Sequence, residues 1–148
     1  MIVDSTGKST ILEWTNSNNT SDTDASKRVL NVTYNNDDSH IGDNEGNANY
    51  QWVTNFIVLP NYYEYDSEKL GLDRYNLIYD ELNKSNGILT NEDDAMNILK
   101  LVGRRTFEPD GNVITPHSII YNLTKKTTYF VTNEHYGEED YIFKLEIK

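Results

Sequence analysis

Cysteine is absent from this 148-residue chain, which excludes disulfides, thiolate metal sites and a cysteine nucleophile within it. Also missing is any apolar run near the ~20 residues that a membrane span needs. Met1 opens onto polar Asp4 to Thr10 and not onto a basic segment followed by an apolar stretch, so nothing directs export and the expected location is cytoplasmic. Bases are few: 13 Lys and Arg face 24 Asp and Glu, a net charge of −11. That balance opposes phosphate backbones and anionic lipid, so neither nucleic acid nor a membrane surface is expected as a partner. No glycine-rich phosphate loop and no serine nucleophile elbow is present. Hydrophobic residues make up only 36% of the chain, yet 11 Tyr and 2 Trp supply large rings for a core, and the length fits a single domain, 1–148.

Ser9 to Thr15 combines β-branched and aromatic residues, with Leu12 and Trp14 alternating against Glu13, and reads as a strand. Met1 to Asp4 then looks like the tail of a preceding strand, which places Met1 in mid-hairpin. Arg28 to Tyr34 alternates Leu30, Val32 and Tyr34 against Val29, Asn31 and Thr33, a second strand. Two polar stretches, 16–27 and 35–49, lack apolar residues to bury and read as loops. Trp52 to Leu59 is a short apolar run of ambiguous type. Leu72, Tyr75, Ile78, Tyr79 and Leu82 recur at helical spacing, and Ser85-Asn86-Gly87 supplies a left-handed stop, so a helix is predicted over Leu72 to Lys84. A second is predicted over Asn91 to Val102, entered through a capping box of Thr90 and Asp93, with Ala95, Met96, Ile98, Leu99, Leu101 and Val102 as its apolar face. After a loop at Thr106 to Pro116, Ser118 to Leu123 and Thr127 to Thr132 form a hairpin, and Asp140 to Lys148 alternates like a half-buried strand. The order argues an α+β fold, an antiparallel sheet with two helices packed on it.

The oxygen-rich stretch 35–49 raises the question of calcium, but no register supplies alternating oxygen ligands with Gly at the sixth and Glu at the twelfth position. His40, His117 and His135 each lack a second ligand at metal spacing, so no metal or cofactor is expected. Asn55 stands out as an amide inside an apolar run: burying it unpaired costs about 1–3 kcal/mol, so it pairs with backbone or points its NH2 into a site that wants a donor. Arg74 has Leu70, Gly71, Leu77 and Ile78 as its helical neighbours, so no acid on its own helix can pair with it. Its guanidinium either reaches water past the core rim or finds an acceptor off the helix.

Five segments, in order, resemble the C-terminal part of linear amide C–N hydrolases of the choloylglycine hydrolase family, which includes bile salt hydrolases and penicillin V acylases. They are Gly7-Lys8-Ser9-Thr10-Ile11-Leu12-Glu13-Trp14, Trp52-Val53-Thr54-Asn55-Phe56, Leu72-Asp73-Arg74-Tyr75, Thr90-Asn91-Glu92-Asp93-Asp94-Ala95-Met96, and Thr115-Pro116-His117-Ser118-Ile119-Ile120-Tyr121-Asn122-Leu123. The resemblance implies the four-layer αββα sandwich of N-terminal nucleophile hydrolases, a small-molecule acyl-amide substrate and no cofactor. It also implies that the cysteine nucleophile lies upstream of these residues, so that this chain is the C-terminal part of a larger hydrolase domain and is inactive alone. By the same resemblance Asn55 looks like the donor that stabilises the oxyanion and Arg74 like an arginine lining the nucleophile pocket. Bile salt hydrolases carry a further Thr-Asn before Pro about ten residues earlier. Here that stretch is Gly46-Asn47-Ala48-Asn49-Tyr50, which makes Asn47 and Asn49 alternative oxyanion donors. A second reading, a non-catalytic fold remnant that binds a partner, rests on the broken hairpin: an unpaired edge at Met1 to Asp4 and Ser9 to Thr15, with part of an apolar sheet face uncovered, favours self-association.

Overall fold

The computed structural model describes residues 1–4, 6–16, 24, 27–35, 49–59, 61–106 and 113–148. His40, Asn47 and most of the two polar loops lie outside the described residues. Length suggests one domain; the backbone gathers into two compact units, Met1–Gly87 and Ile88–Lys148. Both are α+β, each with an antiparallel three-stranded sheet and one α-helix.

In the first unit β1 (Ile2–Val3), β2 (Ser9–Asn16) and β3 (Arg28–Tyr34) pair in the order β1-β2-β3. The strand expected to lack neighbours, β2, is therefore central: Thr10 opposes both Ile2 and Tyr34, and the β2–β3 ladder runs to Asn16 and Arg28. The edges are β1 and β3. The face that turns inward is the polar one. Ser9, Ile11, Glu13 and Thr15 are buried, while Leu12, Trp14, Leu30, Val32 and Tyr34 stay exposed.

The reason is the segment 50–58, which covers that inner face without a strand ladder of its own and whose backbone and polar groups need partners. Glu13 Oε1 accepts the Val58 N–H at 2.7 Å, Ser9 Oγ donates to Gln51 Oε1 at 2.5 Å, and the Gln51 amide donates to the Thr33 carbonyl at 3.2 Å. Glu13 thus substitutes for backbone pairing at Val58, and the Gln51 side chain is tied to both β2 and β3. The apolar side chains of 50–58 turn the other way, toward α1 (Leu72–Lys84). Trp52 packs its ring 5.1 Å from Tyr75 and 5.2 Å from Tyr79, and Phe56 lies 5.0 Å from Tyr75. Helix α1 has the bounds its periodicity predicts. It stops where Asn86 and Gly87 take positive φ, and the Gly87 N–H donates to the Leu82 carbonyl at 2.8 Å. Gly87 also sits against the Tyr50 ring, with no room for a Cβ.

Glu13 pays for its position. Among the described residues its Oε2 has no partner, and burial pushes its carboxyl above the ordinary value of 4.5, against the opposing pull of the Val58 and Leu59 N–H groups. Because the fold favours the neutral carboxyl, the cost is absent at low pH and appears as pH rises from 4.5 through the raised folded-state value. Glu13→Gln keeps the acceptor for Val58 and removes the charge. It is expected to match the parent near pH 4 and to be more stable by about 1 kcal/mol at pH 7. Parallel urea titrations at the two pH values check this, and an equal difference at both would show that ionisation of Glu13 is not the cause.

In the second unit α2 (Glu92–Val102) starts one residue later than predicted. Asn91 is the N-cap, its side chain accepting the Asp94 N–H at 2.9 Å, and Asp94 accepts the Thr90 N–H at 3.0 Å. The box is closed by Asn91 and Asp94 in place of Thr90 and Asp93. The helix packs on β6 (His117–Asn122) with Met96 buried, while Leu101, expected on the apolar face, is exposed. The strands β4 (Arg105–Thr106) and β5 (Val113–Ile114) form a short pair within the stretch that reads as a loop. Strands β6, β7 (Thr127–Thr132) and β8 (Ile142–Glu146) pair consecutively, aligning Ile119, Phe130 and Phe143 across the sheet.

Candidate functional site

Asn55 and Arg74, singled out for separate reasons, meet at the start of α1. Arg74 Nη2 donates to Asn55 Oδ1 at 2.8 Å across 19 residues of sequence. The acceptor that Arg74 lacks on its own helix is supplied from the segment 50–58. Asn55 is exposed, so the burial argument that drew attention to it does not hold; what fixes it is the arginine. A guanidinium only donates, so the Asn55 carbonyl must face it and the amide NH2 must face away. Among the described residues that NH2 donates to none.

The neighbours explain how the pair is held. Thr54 Oγ1 donates to the Gly71 carbonyl at 3.1 Å, tying the Thr-Asn dipeptide to the residue before α1. Gly71 has φ +84°, a left-handed backbone that favours glycine, and the Arg74 guanidinium folds over it, with Nη2 2.8 Å from where a Cβ would stand. Arg74 stands in the first turn of α1, where a positive charge opposes the helix dipole. Its placement therefore does not serve the helix, and its Nε is buried without a hydrogen-bond partner.

Of the alternative donors, Asn49 gives its amide to the Asn86 carbonyl at 3.2 Å, beyond the C-terminal end of α1, so it stands at the opposite end of that helix from Arg74. Asn47 lies outside the described residues. His117 is exposed at the start of β6. His135 stacks on Tyr141 with ring centres 3.9 Å apart, and its Nδ1 lies 3.0 Å from Glu138. Among the described residues no group of three or more His, Asp or Glu could hold a metal ion, and no helix is long and apolar enough to cross a membrane.

Two features escape sequence reasoning because they form across strands. The second unit has a cavity of about 400 Å³ whose lining includes Glu92, Lys125, Tyr129 and Lys144. Within it Glu92 is held by Asn122 at 2.7 Å and Lys125 at 3.1 Å. The second feature is a buried polar cluster: Ser118 Oγ lies 2.6 Å from Tyr136 Oη, and Gly103 leaves space for Tyr136 and Glu134. Burial raises the Tyr136 phenol above its ordinary value.

No family model, curated protein or solved structure matches this chain.

Proposed function

We propose that this chain is the C-terminal portion of a cytoplasmic cysteine-nucleophile hydrolase of linear, non-peptide amide C–N bonds, similar to the choloylglycine hydrolase family. In this reading its sheets belong to an αββα N-terminal nucleophile sandwich, and the nucleophile comes from a segment outside these residues. The supporting observation is the 2.8 Å bond from Arg74 to Asn55, which joins the two side chains that the family resemblance names independently. An amide whose carbonyl is occupied by a guanidinium is held with its NH2 outward and polarised toward donation. That is what a developing oxyanion requires, since a donor fixed before the reaction costs no reorganisation during it.

The chain as it stands is expected to hydrolyse none of penicillin V, glycine-conjugated bile acids or simple N-acyl amino acids. An oxyanion donor alone supplies roughly 3 kcal/mol, a small part of the barrier reduction an enzyme needs. Joined to the reading frame directly upstream of the Met1 codon, it is expected to cleave at least one of these acyl amides and to lose that activity when the initiating Met-Cys becomes Met-Ala. An upstream frame without a Met-Cys start, or turnover by the isolated chain that a point mutation in it abolishes, overturns the proposal.

A further inference from the structure

We infer that the outer face of the β1–β2–β3 sheet is a self-complementary docking surface, and that its occupant is the same face of a second copy of this chain. The face is set by the ladder. Ile2, Leu12, Trp14, Leu30, Val32 and Tyr34 all project to the side opposite the one covered by 50–58, and all are 40–61% exposed. Together they make an apolar patch of several hundred Å², at or above the largest that monomers ordinarily leave in water.

Two observations select a second copy. The first is charge. The molecule carries 24 acids, yet the paired positions on this side from Thr10 to Asn16 and Arg28 to Tyr34 include none; its one charge is Arg28, at the end where Arg28 Nε donates to Asn16 at 3.3 Å. Two copies of a chain with net charge −11 repel over most orientations, and along β2 and β3 this face lets them meet without opposing carboxylates. The second is shape. A twofold axis perpendicular to the strands lays one sheet on the other as in a β-sandwich and carries the Arg28 end of each face over the Tyr34 end of its mate. The sole cation then lies over an aromatic ring. A patch of this size, with the polar rim around it, approaches the ~800 Å² per partner of a standard interface.

This inference concerns association of the chain as it stands and is read without any substrate; in the proposed αββα sandwich the same face would lie against the other sheet, so the dimer is tested on this chain alone. Light scattering coupled to size exclusion, at micromolar concentration, is expected to give twice the chain mass. Dissociation is expected to weaken with added salt, which screens the acids and strengthens apolar burial. Trp14→Lys and Leu30→Lys, both at exposed positions, are each expected to weaken the dimer at least about thirtyfold, the loss of a hot-spot side chain. Leu145→Lys, on the exposed side of β8, leaves it unchanged. Circular dichroism of each variant confirms that it folds. A monomer, a species larger than a dimer, a dimer that salt weakens, or one broken by Leu145→Lys and not by Trp14→Lys each overturns the assignment.

Discussion

Tyr75→Ala is expected to lower the stability of the 1–87 unit by about 3–5 kcal/mol, the cost of emptying a fully buried aromatic site. Tyr75 is 1% exposed and stands between the rings of Trp52 and Phe56, at 5.1 and 5.0 Å. With Tyr79 and Arg74 it is one of the side chains through which α1 holds the irregular segment 50–58 in place, and it is fully buried. Removing it loses burial on both sides and leaves a cavity that rigid neighbouring rings fill poorly. Domains of this size commonly have only 5–15 kcal/mol in total, so a large part of the unit's margin goes with one residue. Denaturant titration followed by tryptophan fluorescence measures the loss, and Tyr75→Phe separates the ring from the hydroxyl. A cost below about 1 kcal/mol would show that the segment is held by something other than this stack.

If the proposed function holds, Asn55→Ala in the chain joined to its upstream reading frame is expected to reduce kcat by about 100- to 1000-fold with a small effect on KM, the pattern of a donor whose bond forms in the transition state. Asn49→Ala leaves kcat within about threefold, because the Asn49 amide is engaged at the other end of α1. Arg74→Lys keeps the charge but not the planar fork that aims the Asn55 amide, so it is expected to lose a substantial part of the same factor. Rates unaffected by Asn55→Ala but lost on Asn47→Ala would move the oxyanion role upstream and leave Asn55 a structural partner of Arg74.

Those two side chains show how legible the site was. Arg74 could be marked from spacing alone, because the helix bounds follow from Leu72, Tyr75, Ile78, Tyr79 and Leu82, and the absence of an acid three or four positions away is a local fact. Asn55 could be marked only by its company, and the reason given for it was the wrong one: the amide is exposed and fixed by a cation, not buried and in need of rescue. Gly71 carried no signal at all, since the need for glycine arises from the left-handed φ of +84° that the chain takes on entering α1. Asn49, the alternative donor by resemblance, is distinguished from Asn55 by which end of α1 each one reaches.

The sequence by itself determined the local elements, both helices and the longer strands, because periodicity, capping residues and left-handed stops are written within a few residues of each other. It also determined what chemistry the chain lacks, since no arrangement of these residues makes a thiolate. The tertiary structure alone decided which face of β2 is buried. Alternation places Leu12 and Trp14 opposite Glu13 but cannot say which side another segment will cover, and here the cover is an irregular stretch whose Val58 N–H needs an acceptor and whose Gln51 side-chain oxygen needs a donor. Hydrogen-bond demand from Val58 and Gln51 outweighed the preference for apolar burial, drew Glu13 and Ser9 inward, and left the apolar side of the sheet facing out.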